Sequence, residues 1–364
     1  IVAALSLYLG IQRPYYNWDL IGYIAAVKSF DTADAAEIHV FTFESVRRAV
    51  PDKAYSELTE TDHYRRTIAK DASALKEHLP FYQIRPVYNG LILAMHRLGM
   101  DMVVATNLIS ALSVVLALAV LWRFAYRSLP PLWTAAIPLL SVIFGVIDLA
   151  RLSTPDALAF LFTITVAWLY WTGRHTLLFF ALPFLVATRT DFILFALPLL
   201  LAVFVLDRPN RFGAIASTLA CIAVYQAIVT YWAHPGWAKI VYFTLIQILT
   251  HPLSTPTQVT AAQYLAVLGR GLYGLIQTKS FLLYLIFAVY PVITLAKERH
   301  SMLDGSTEAV LSLSLTLVCL VFVILHFLLF PVMWDRFFSG SYLVGCVATL
   351  ALIAWRSSAL RSSA

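Results

Sequence analysis

Long apolar runs separated by short polar turns dominate the pattern of this 364-residue chain. Residues 103–122 contain no charged side chain, and neither do residues 309–334. A helix of about 20 apolar residues is long enough to cross the hydrocarbon core of a bilayer. The pattern therefore predicts an all-α, polytopic integral membrane protein.

Ten transmembrane helices are predicted from the apolar runs. Their approximate bounds are 1–12, 102–122, 132–150, 155–171, 175–188, 191–206, 212–233, 280–296, 308–331 and 337–355. The first run is about half the length of a full span, so we expect the start of its helix to precede Ile1. The sequence "TRTD" interrupts the two short runs 175–188 and 191–206, which are expected to form a helical hairpin.

Two longer stretches, 13–101 and 234–279, mix polar and apolar residues. "DLIGYIAAVKSF" (19–30) predicts a helix, and charged helices with loops are expected across 31–80. Three amphipathic stretches are expected to lie flat at the membrane interface: 81–99, 236–253 and 261–277. No internal repeat or linker divides the chain, so 1–364 is interpreted as one membrane-embedded domain without a soluble C-terminal domain.

The positions of lysine and arginine indicate how the chain is oriented. Cytoplasmic loops of membrane proteins carry an excess of these cations. The loops assigned to the cytoplasmic side are 123–131, 173–175, 207–211, 297–306 and 356–364. The two longer stretches are then predicted to lie outside. The excess of lysine and arginine in the cytoplasmic loops accounts for the net charge of +6, so no nucleic-acid partner is expected.

Several polar residues are predicted to meet on the outer side of the membrane. They are Asp19, Arg85, Asp148, Arg151, Asp156, Arg189, Asp191, Gln247, His251, Asp335 and Arg336. Ionisable side chains at membrane depth are costly and usually face a protein interior or a cavity. Simpler roles stay open: Asp156 and Asp191 could cap helices, Asp148 could pair with Arg151 or Arg189, and a structural role is favoured for His251.

Five short motifs in this order resemble those of the GT-C superfamily of membrane glycosyltransferases. They are "NWDLIGY" (17–23), "RPVYNGLILAMHRLG" (85–99), "ARLSTPDALAFLF" (150–162), "ATRTDFILFALPLLL" (187–201) and "WDRFFSGSYLVG" (334–345). The resemblance extends over nearly the whole chain. It implies a GT-C-like fold of about ten transmembrane helices, with amphipathic juxtamembrane helices on the outer face.

The resemblance also implies a reaction. A single pentose or hexose would move from a polyprenyl-phosphate donor to a glycan, lipid or protein acceptor, with inversion. The active site would face the exterior, which for a bacterial inner membrane is the periplasm.

Asp19 fits the role of general base, because aromatic neighbours can exclude water and raise its pKa. Asp156 could orient the acceptor, hold an arginine, or share Mg²⁺ or Mn²⁺ with Asp19. Asp19 lacks the second acidic residue that many members carry beside it, which leaves the metal open.

The remaining candidate residues are expected to bind substrate. They are Tyr16, Trp18, Arg85, Tyr88, Arg189, Asp191, His251 and Arg336. Guanidinium groups bind phosphate bidentately and remain charged, which suits Arg85, Arg189 and Arg336. Aromatic rings such as Tyr16 and Trp18 could stack on sugar faces, although aromatic belts are common at membrane boundaries.

Two other classes of protein stay open on the sequence. A lipid-linked-sugar transporter or flippase would distribute charges through its spans and would show two similar halves. A non-catalytic membrane subunit would have no cavity joining Asp19 to the arginine turns. Separation of Asp19 and Asp156 into different pockets would contradict the enzyme mechanism.

Overall fold

The computed structural model describes residues 1–303 and 307–362, with side chains described to residue 295 and from 307 to 357. Twenty α-helices, α1 to α20 in chain order, account for most of these residues. Their bounds are Val2–Gln12, Asp19–Lys28, Ala35–Ala49, Asp52–Thr59, His63–Lys70, Ala72–Gln83, Pro86–Arg97, Met102–Ser128, Pro131–Thr134, Ile137–Ile143, Val146–Leu149, Asp156–Trp171, His175–Thr188, Ile193–Leu206, Arg211–Tyr231, Trp237–Val241, Ala261–Gln277, Lys279–Leu303, Thr307–Leu329 and Asp335–Ser362. The all-α prediction is confirmed for the described residues, whose only β contact is an isolated bridge between Tyr15 and Leu152.

Four helical segments are long and apolar enough to cross a membrane. They are Met102–Ser128, Arg208–Tyr231, Thr307–Leu329 and Asp335–Ser357. A fifth is obtained if Ala261–Gln277 and Lys279–Leu295, which meet at an angle of 83°, count as one broken span. Six shorter apolar segments occur among the described residues: Val2–Gln12, Pro131–Ile143, Asp156–Trp171, His175–Thr188, Thr190–Leu206 and Trp237–Ile246. These helices identify an integral membrane protein.

Helices occupy the predicted apolar runs, with one departure. The run 132–150 is not a continuous helix but three short ones, α9, α10 and α11. Pro131 starts α9, Pro138 lies in the first turn of α10, and Gly145 adopts a left-handed conformation with φ of 73° before α11. Proline favours a first helical turn and glycine tolerates positive φ, so these residues divide the run. The inner loop 297–306 and the tail 356–364 fall partly outside the described residues.

Helices α2 to α7 form a bundle of their own at one end of the long helices, called the outer bundle here after the side of the membrane that the sequence predicts for it. Four helix starts in this part of the chain carry an aspartate whose carboxylate accepts backbone N–H groups: Asp34, Asp62, Asp71 and Asp101. Each such cap contributes about 1 kcal/mol to helix stability. Helix α2 lies at the centre, with buried residues on every side, and packs against α3, α6 and α7.

The amphipathic stretches are shorter than predicted. Residues 81–99 belong to two helices, α6 and α7, and the second starts at Pro86, whose missing N–H suits that position. In 236–253 the α-helix covers only Trp237–Val241, followed by one π-helical turn, Tyr242–Ile246. The last stretch is α17, as expected.

The two largest apolar cores meet at the start of α12. The larger core joins α8, α12, α13, α14, α19 and α20, while the second joins α2 to α7 with the N-terminal end of α8. Leu158 belongs to the second core, and its neighbours Ala157 and Ala159 belong to the first. The two cores therefore hold the turns at 153–156, 189–192 and 331–335 close beneath the outer bundle.

Candidate functional site

A cleft of about 430 Å³, here called cavity A, lies between the outer bundle and these turns. Six residues predicted from the sequence line it: Trp18, Asp19, Arg85, Asp156, Arg189 and Arg336. They come from five separate parts of the chain, because Trp18 and Asp19 are neighbours in the sequence. Asp19 and Asp156 thus share one pocket, the geometry that the transferase hypothesis requires.

A continuous series of ion pairs at cavity A joins Asp19, Arg336, Asp156, Arg189 and Asp191. Arg336 Nη1 lies 2.8 Å from Asp19 Oδ2, and Arg336 Nε lies 3.6 Å from Asp156 Oδ2. Arg189 then pairs with Asp156 through Nη1 and with Asp191 through Nη2, the latter at 2.6 Å. Arg336 and Arg189 therefore each bridge two carboxylates of the series.

Asp19 is the carboxylate of this series that remains open to the cleft, with 26% of its side chain exposed. Its Oδ2 accepts hydrogen bonds from Arg336 and from Asn17 Nδ2 at 2.7 Å. Its Oδ1 has one long contact, from the Tyr82 hydroxyl at 3.5 Å. Burial, and secondarily the Asp19 charge, raises the pKa of Tyr82 well above its usual value, so the phenol keeps its proton and acts as a donor. Oδ1 is therefore the oxygen that an incoming hydroxyl can reach.

Asp156 is buried and already satisfied. Only 3% of its side chain is exposed, and its oxygens accept from Arg189 and from the Thr154 hydroxyl. It does not cap α12, and Asp191 does not cap the helix that follows it, because their carboxylates bind arginine instead. Both aspartates therefore hold Arg189 in place.

The same ion pairs argue against a divalent cation held between Asp19 and Asp156. The Arg336 guanidinium already pairs with both carboxylates, so a cation placed between them would face a fixed positive charge. Among the described residues, no group of three or more His, Cys, Asp or Glu side chains could hold a metal ion. Mg²⁺ and Mn²⁺ are normally held by several oxygen ligands. The pair in this geometry does not fit such an ion.

A second cleft of about 460 Å³, cavity B, adjoins cavity A and is more apolar. Arg85, Arg189 and Phe337 line both. Cavity B in turn shares Leu194 with an apolar groove of about 830 Å³, groove C, which lies between α14, α15 and α19. A polar cleft, a mixed cleft and an apolar groove thus follow one another from the outer bundle to the long helices.

Arg85 differs from Arg189 and Arg336 in its partners. Its guanidinium has no carboxylate partner among the described residues. Its Nη1 donates weakly to the Ile84 carbonyl at 3.2 Å and the Thr190 hydroxyl at 3.4 Å. Its Nε is buried and has no hydrogen-bond partner in the described part of the chain. A half-buried cation that has no ion pair is costly, so Arg85 is the positive group of the two clefts best suited to receive an anion.

Several sequence candidates lie outside both clefts. Tyr88 is fully buried under the outer bundle, with its ring edge-on to Tyr23 at 5.0 Å. Tyr16 is half-buried against the same core and does not line cavity A. Asp148 pairs with Arg151 at 3.4 Å and is 79% exposed, so of its two expected partners it takes Arg151.

His251 also lies apart from cavity A. Its imidazole faces Asp71 and Glu77 of the outer bundle. The Glu77 carboxylate also accepts the backbone N–H groups of Leu253 and Ser254. The cluster fastens the loop after the π-helical turn onto α6, which is the structural role favoured from the sequence.

Other lining residues were missed from the sequence. The aromatic wall of cavity A is formed by Tyr64, Phe81, Tyr82, Phe243, Trp334 and Phe337. The rings of Trp334 and Phe337 lie against guanidinium groups: Arg336 is 4.9 Å from the first centroid, and Arg189 is 4.3 Å from the second. His326 Nε2–H donates to Asp191 Oδ2 across 3.1 Å. A histidine within an otherwise uncharged span was the available signal for this residue.

The combined site has a reachable carboxylate, an unpaired guanidinium, aromatic walls and an apolar extension. This set can bind a polar group that is joined through an anion to an apolar chain. The carboxylate can accept a proton from a hydroxyl in cavity A. Compared with protein-family models, with curated proteins and with solved structures, the chain matches none of them.

Proposed function

We propose that this protein is an inverting membrane glycosyltransferase of the GT-C type. It moves one sugar from a polyprenyl-phosphate donor to a hydroxyl of a glycan, lipid or protein acceptor. In this proposal the apolar runs give about ten spans, and cavity A opens on the exterior, the periplasmic side of a bacterial inner membrane.

The observation that carries the proposal is the position of Arg85. Its guanidinium lines both cavity A and cavity B and has no carboxylate partner among the described residues. A lipid-phosphate sugar has its phosphate between a polar and an apolar part. With the phosphate at Arg85, the sugar lies in cavity A, and the chain runs through cavity B past Leu194 into groove C.

The reaction follows from the groups around the sugar. An acceptor hydroxyl attacks the anomeric carbon from the side of Asp19, and Asp19 Oδ1 accepts its proton. The bond from the anomeric carbon to the phosphate oxygen breaks, and the electron pair leaves with the lipid phosphate. General base catalysis of this kind contributes about 10²–10⁴-fold.

Arg336 and Arg189 support the reaction by position. The carboxylates of Asp156 and Asp191 fix them in place, and their planar groups face the aromatic wall of cavity A. Because these guanidinium groups are already oriented, they need little rearrangement when negative charge develops on the departing phosphate. In this role Asp156 is a positioning residue, and Asp19 is the catalytic residue.

Groove C supports a lipid donor. Its lining is almost wholly apolar, and Leu201, Val205 and Leu219 on its walls are more than half exposed. Side chains of this kind on a membrane protein contact lipid chains, and a polyprenyl chain is chemically equivalent to them. A water-soluble sugar nucleotide donor would leave this groove unused.

The test is sugar transfer by the purified protein in liposomes, with a panel of radiolabelled polyprenyl-phosphate pentoses and hexoses and a mixed glycan acceptor. We expect turnover with one donor class and about 10²-fold less with Arg85→Gln. Arg97→Gln, at the exposed end of the same helix, is the control and should behave as wild type. No transfer from any donor, together with movement of a labelled lipid-linked sugar across the bilayer, would identify a transporter instead.

A further inference from the structure

One part of cavity A is lined by helix α5 and by the turn before α2, and it is separate from cavity B. Asp62, Tyr64 and Arg65 line cavity A there together with Trp18, and none of the four lines cavity B. The Trp18 indole N–H donates to the Tyr64 hydroxyl at 3.2 Å, and Trp18 immediately precedes Asp19. These four residues, here called the α5 wall, therefore adjoin the proposed base.

Inversion restricts the direction from which an acceptor reaches the donor sugar. The attacking hydroxyl approaches the anomeric carbon from the side opposite the leaving group. In the proposed function the leaving phosphate lies at Arg85, where cavities A and B join. Asp19 lines cavity A and not cavity B, so the hydroxyl that it deprotonates enters through the rest of cavity A. The α5 wall lies on that route.

The charged side chains of the α5 wall are accessible. The Asp62 side chain is 50% exposed and the Arg65 side chain 29% exposed. Asp62 Oδ1 caps α5 by accepting the backbone N–H of Arg65 at 2.8 Å. The one polar contact of Oδ2 within the described part of the chain is Arg65 Nε at 3.5 Å. Oδ2 can therefore accept hydrogen bonds from a ligand.

The charges of the α5 wall cancel. Asp62 and Arg65 pair with each other, as Asp19 and Arg336 do. Of the arginines that line cavity A, Arg85 has no ion pair among the described residues, and in the proposed function the donor phosphate meets its charge. An anionic acceptor would find no unpaired cation, so the α5 wall matches a neutral group.

The surface of the α5 wall suits a sugar and not an apolar chain. A carboxylate that accepts from hydroxyl groups, next to an aromatic ring, provides both the polar and the C–H contacts of a sugar. The Trp18 ring lies beside the ion pair, with Arg65 Cζ 5.8 Å from its centroid. The apolar extension of the site leaves cavity A through cavity B into groove C. A lipid acceptor would have to share that path with the donor chain.

We propose that the α5 wall is the acceptor site and that the acceptor is a neutral glycan. The terminal sugar of the glycan donates hydroxyl hydrogens to Asp62 Oδ2 and lies beside the Trp18 ring, while Asp19 accepts the proton of the attacking hydroxyl. The proposal rests on the proposed function and deepens it, because it selects one of three acceptor classes and names the residues that recognise it.

Two matched substitutions separate glycan binding from the local fold. Asp62→Ser removes the carboxylate but keeps a helix cap, because serine caps helices about as well as aspartate does. Asp34→Ser is the control, since Asp34 caps α3 of the same bundle, is exposed, and lines neither cavity A nor cavity B. If Asp62 only capped α5, the two substitutions would be equivalent. Loss of Asp62 also leaves Arg65 without its ion pair, so an acidic sugar should bind better.

Saturation-transfer NMR of the detergent-solubilised full chain measures acceptor binding without a donor and without turnover. The probes are three neutral trisaccharides (mannotriose, arabinotriose and galactotriose), trigalacturonic acid, a serine-containing hexapeptide and dihexanoylglycerol. We expect wild type to bind at least one neutral trisaccharide. Its affinity should fall about 10–100-fold in Asp62→Ser, because hydrogen bonds to a charged group are lost, and stay unchanged in Asp34→Ser. Trigalacturonic acid should bind more tightly to Asp62→Ser than to wild type.

Equal affinity of wild type and Asp62→Ser for the neutral trisaccharides would overturn the site. Failure of all three to bind, or tighter binding of the acidic, peptide or lipid probe to wild type, would overturn it as well. Failure of the proposed function has a different signature. If trisaccharide binding depends on Asp62 but no polyprenyl-phosphate sugar is consumed, the glycan site stands and the transferase does not. If sugar is transferred with the same acceptor KM in Asp62→Ser and wild type, the transferase stands and the site does not.

Discussion

Arg336 Nη1 lies 2.8 Å from Asp19 Oδ2, although 317 positions separate the two residues in the sequence. The pair connects the turn before α2 to the start of α20. The same guanidinium reaches Asp156 through Nε at 3.6 Å. One side chain therefore sets the distance between the proposed base and the buried carboxylate that positions the site.

Arg336→Lys tests this shared guanidinium. A lysine ammonium is a point charge and cannot donate to Asp19 and Asp156 with the geometry of a planar fork. We expect kcat for sugar transfer to fall at least about tenfold, equivalent to about 1.4 kcal/mol, with little change in the KM of the donor. Arg97→Lys serves as the control. An unchanged kcat would show that charge alone is sufficient at this position.

Asp156→Ala addresses the buried pair with Arg189. Side-chain exposures of 3% and 5% mean that the change leaves a charge partly uncompensated in the interior. Removing one partner of such a pair costs about 3–5 kcal/mol of unfolding free energy. Thermal unfolding in detergent should show this loss, whereas Asp148→Ala, in the exposed pair with Arg151, should change stability by less than about 0.5 kcal/mol. Equal effects of the two substitutions would contradict the structural role of Asp156.

Gly22→Ala tests the packing behind Asp19. A Cβ at Gly22 would lie 2.4 Å from the Tyr82 ring, which donates to Asp19. Overpacking of this kind costs about 1–3 kcal/mol, and it displaces the tyrosine from the wall of cavity A. We expect lower stability and slower transfer together. Gly90→Ala is the matched control, because nothing lies within 4 Å of its Cβ and alanine favours the helix by about 0.5–1 kcal/mol.

The Glu77 cluster should respond to acid. Partial burial would raise the pKa of Glu77, but hydrogen bonds from Ser254 and Leu253 outweigh it and hold the pKa below its usual value. A carboxyl whose folded pKa is depressed stabilises the fold above its unfolded pKa of about 4.3, and this contribution is lost as pH falls through the folded value. Amide exchange at Leu253 and Ser254, corrected for intrinsic rates, should therefore accelerate below about pH 4. Glu77→Gln should remove the pH dependence, and constant protection of wild type down to pH 3 would contradict it.

The sequence predicted where most of the apolar helices lie, because hydropathy is a local property, but only four or five of the ten predicted spans are long and apolar enough to cross a membrane. The run 175–188 is helix α13 with the same bounds, and the divided run 132–150 departs only where Pro138 and Gly145 interrupt it. The charged candidates for the site could also be identified from local sequence, since arginine and aspartate are rare beside apolar spans.

The partners of those charges could not be predicted in the same way. Pairing of Arg336 with Asp19, or of Asp156 with Arg189 instead of a helix cap, depends on how distant turns meet in space.

Asp19→Asn is the most direct test of the central claim, that Asp19 is the base of a lipid-phosphate sugar transfer. The measurement is the rate of radiolabelled sugar transfer in liposomes with the donor that wild type uses, alongside Asp148→Asn as a control on an exposed aspartate outside the clefts. We predict about 10²–10⁴-fold slower transfer for Asp19→Asn, with donor binding retained and the control unchanged. Transfer by Asp19→Asn at the wild-type rate would contradict the account.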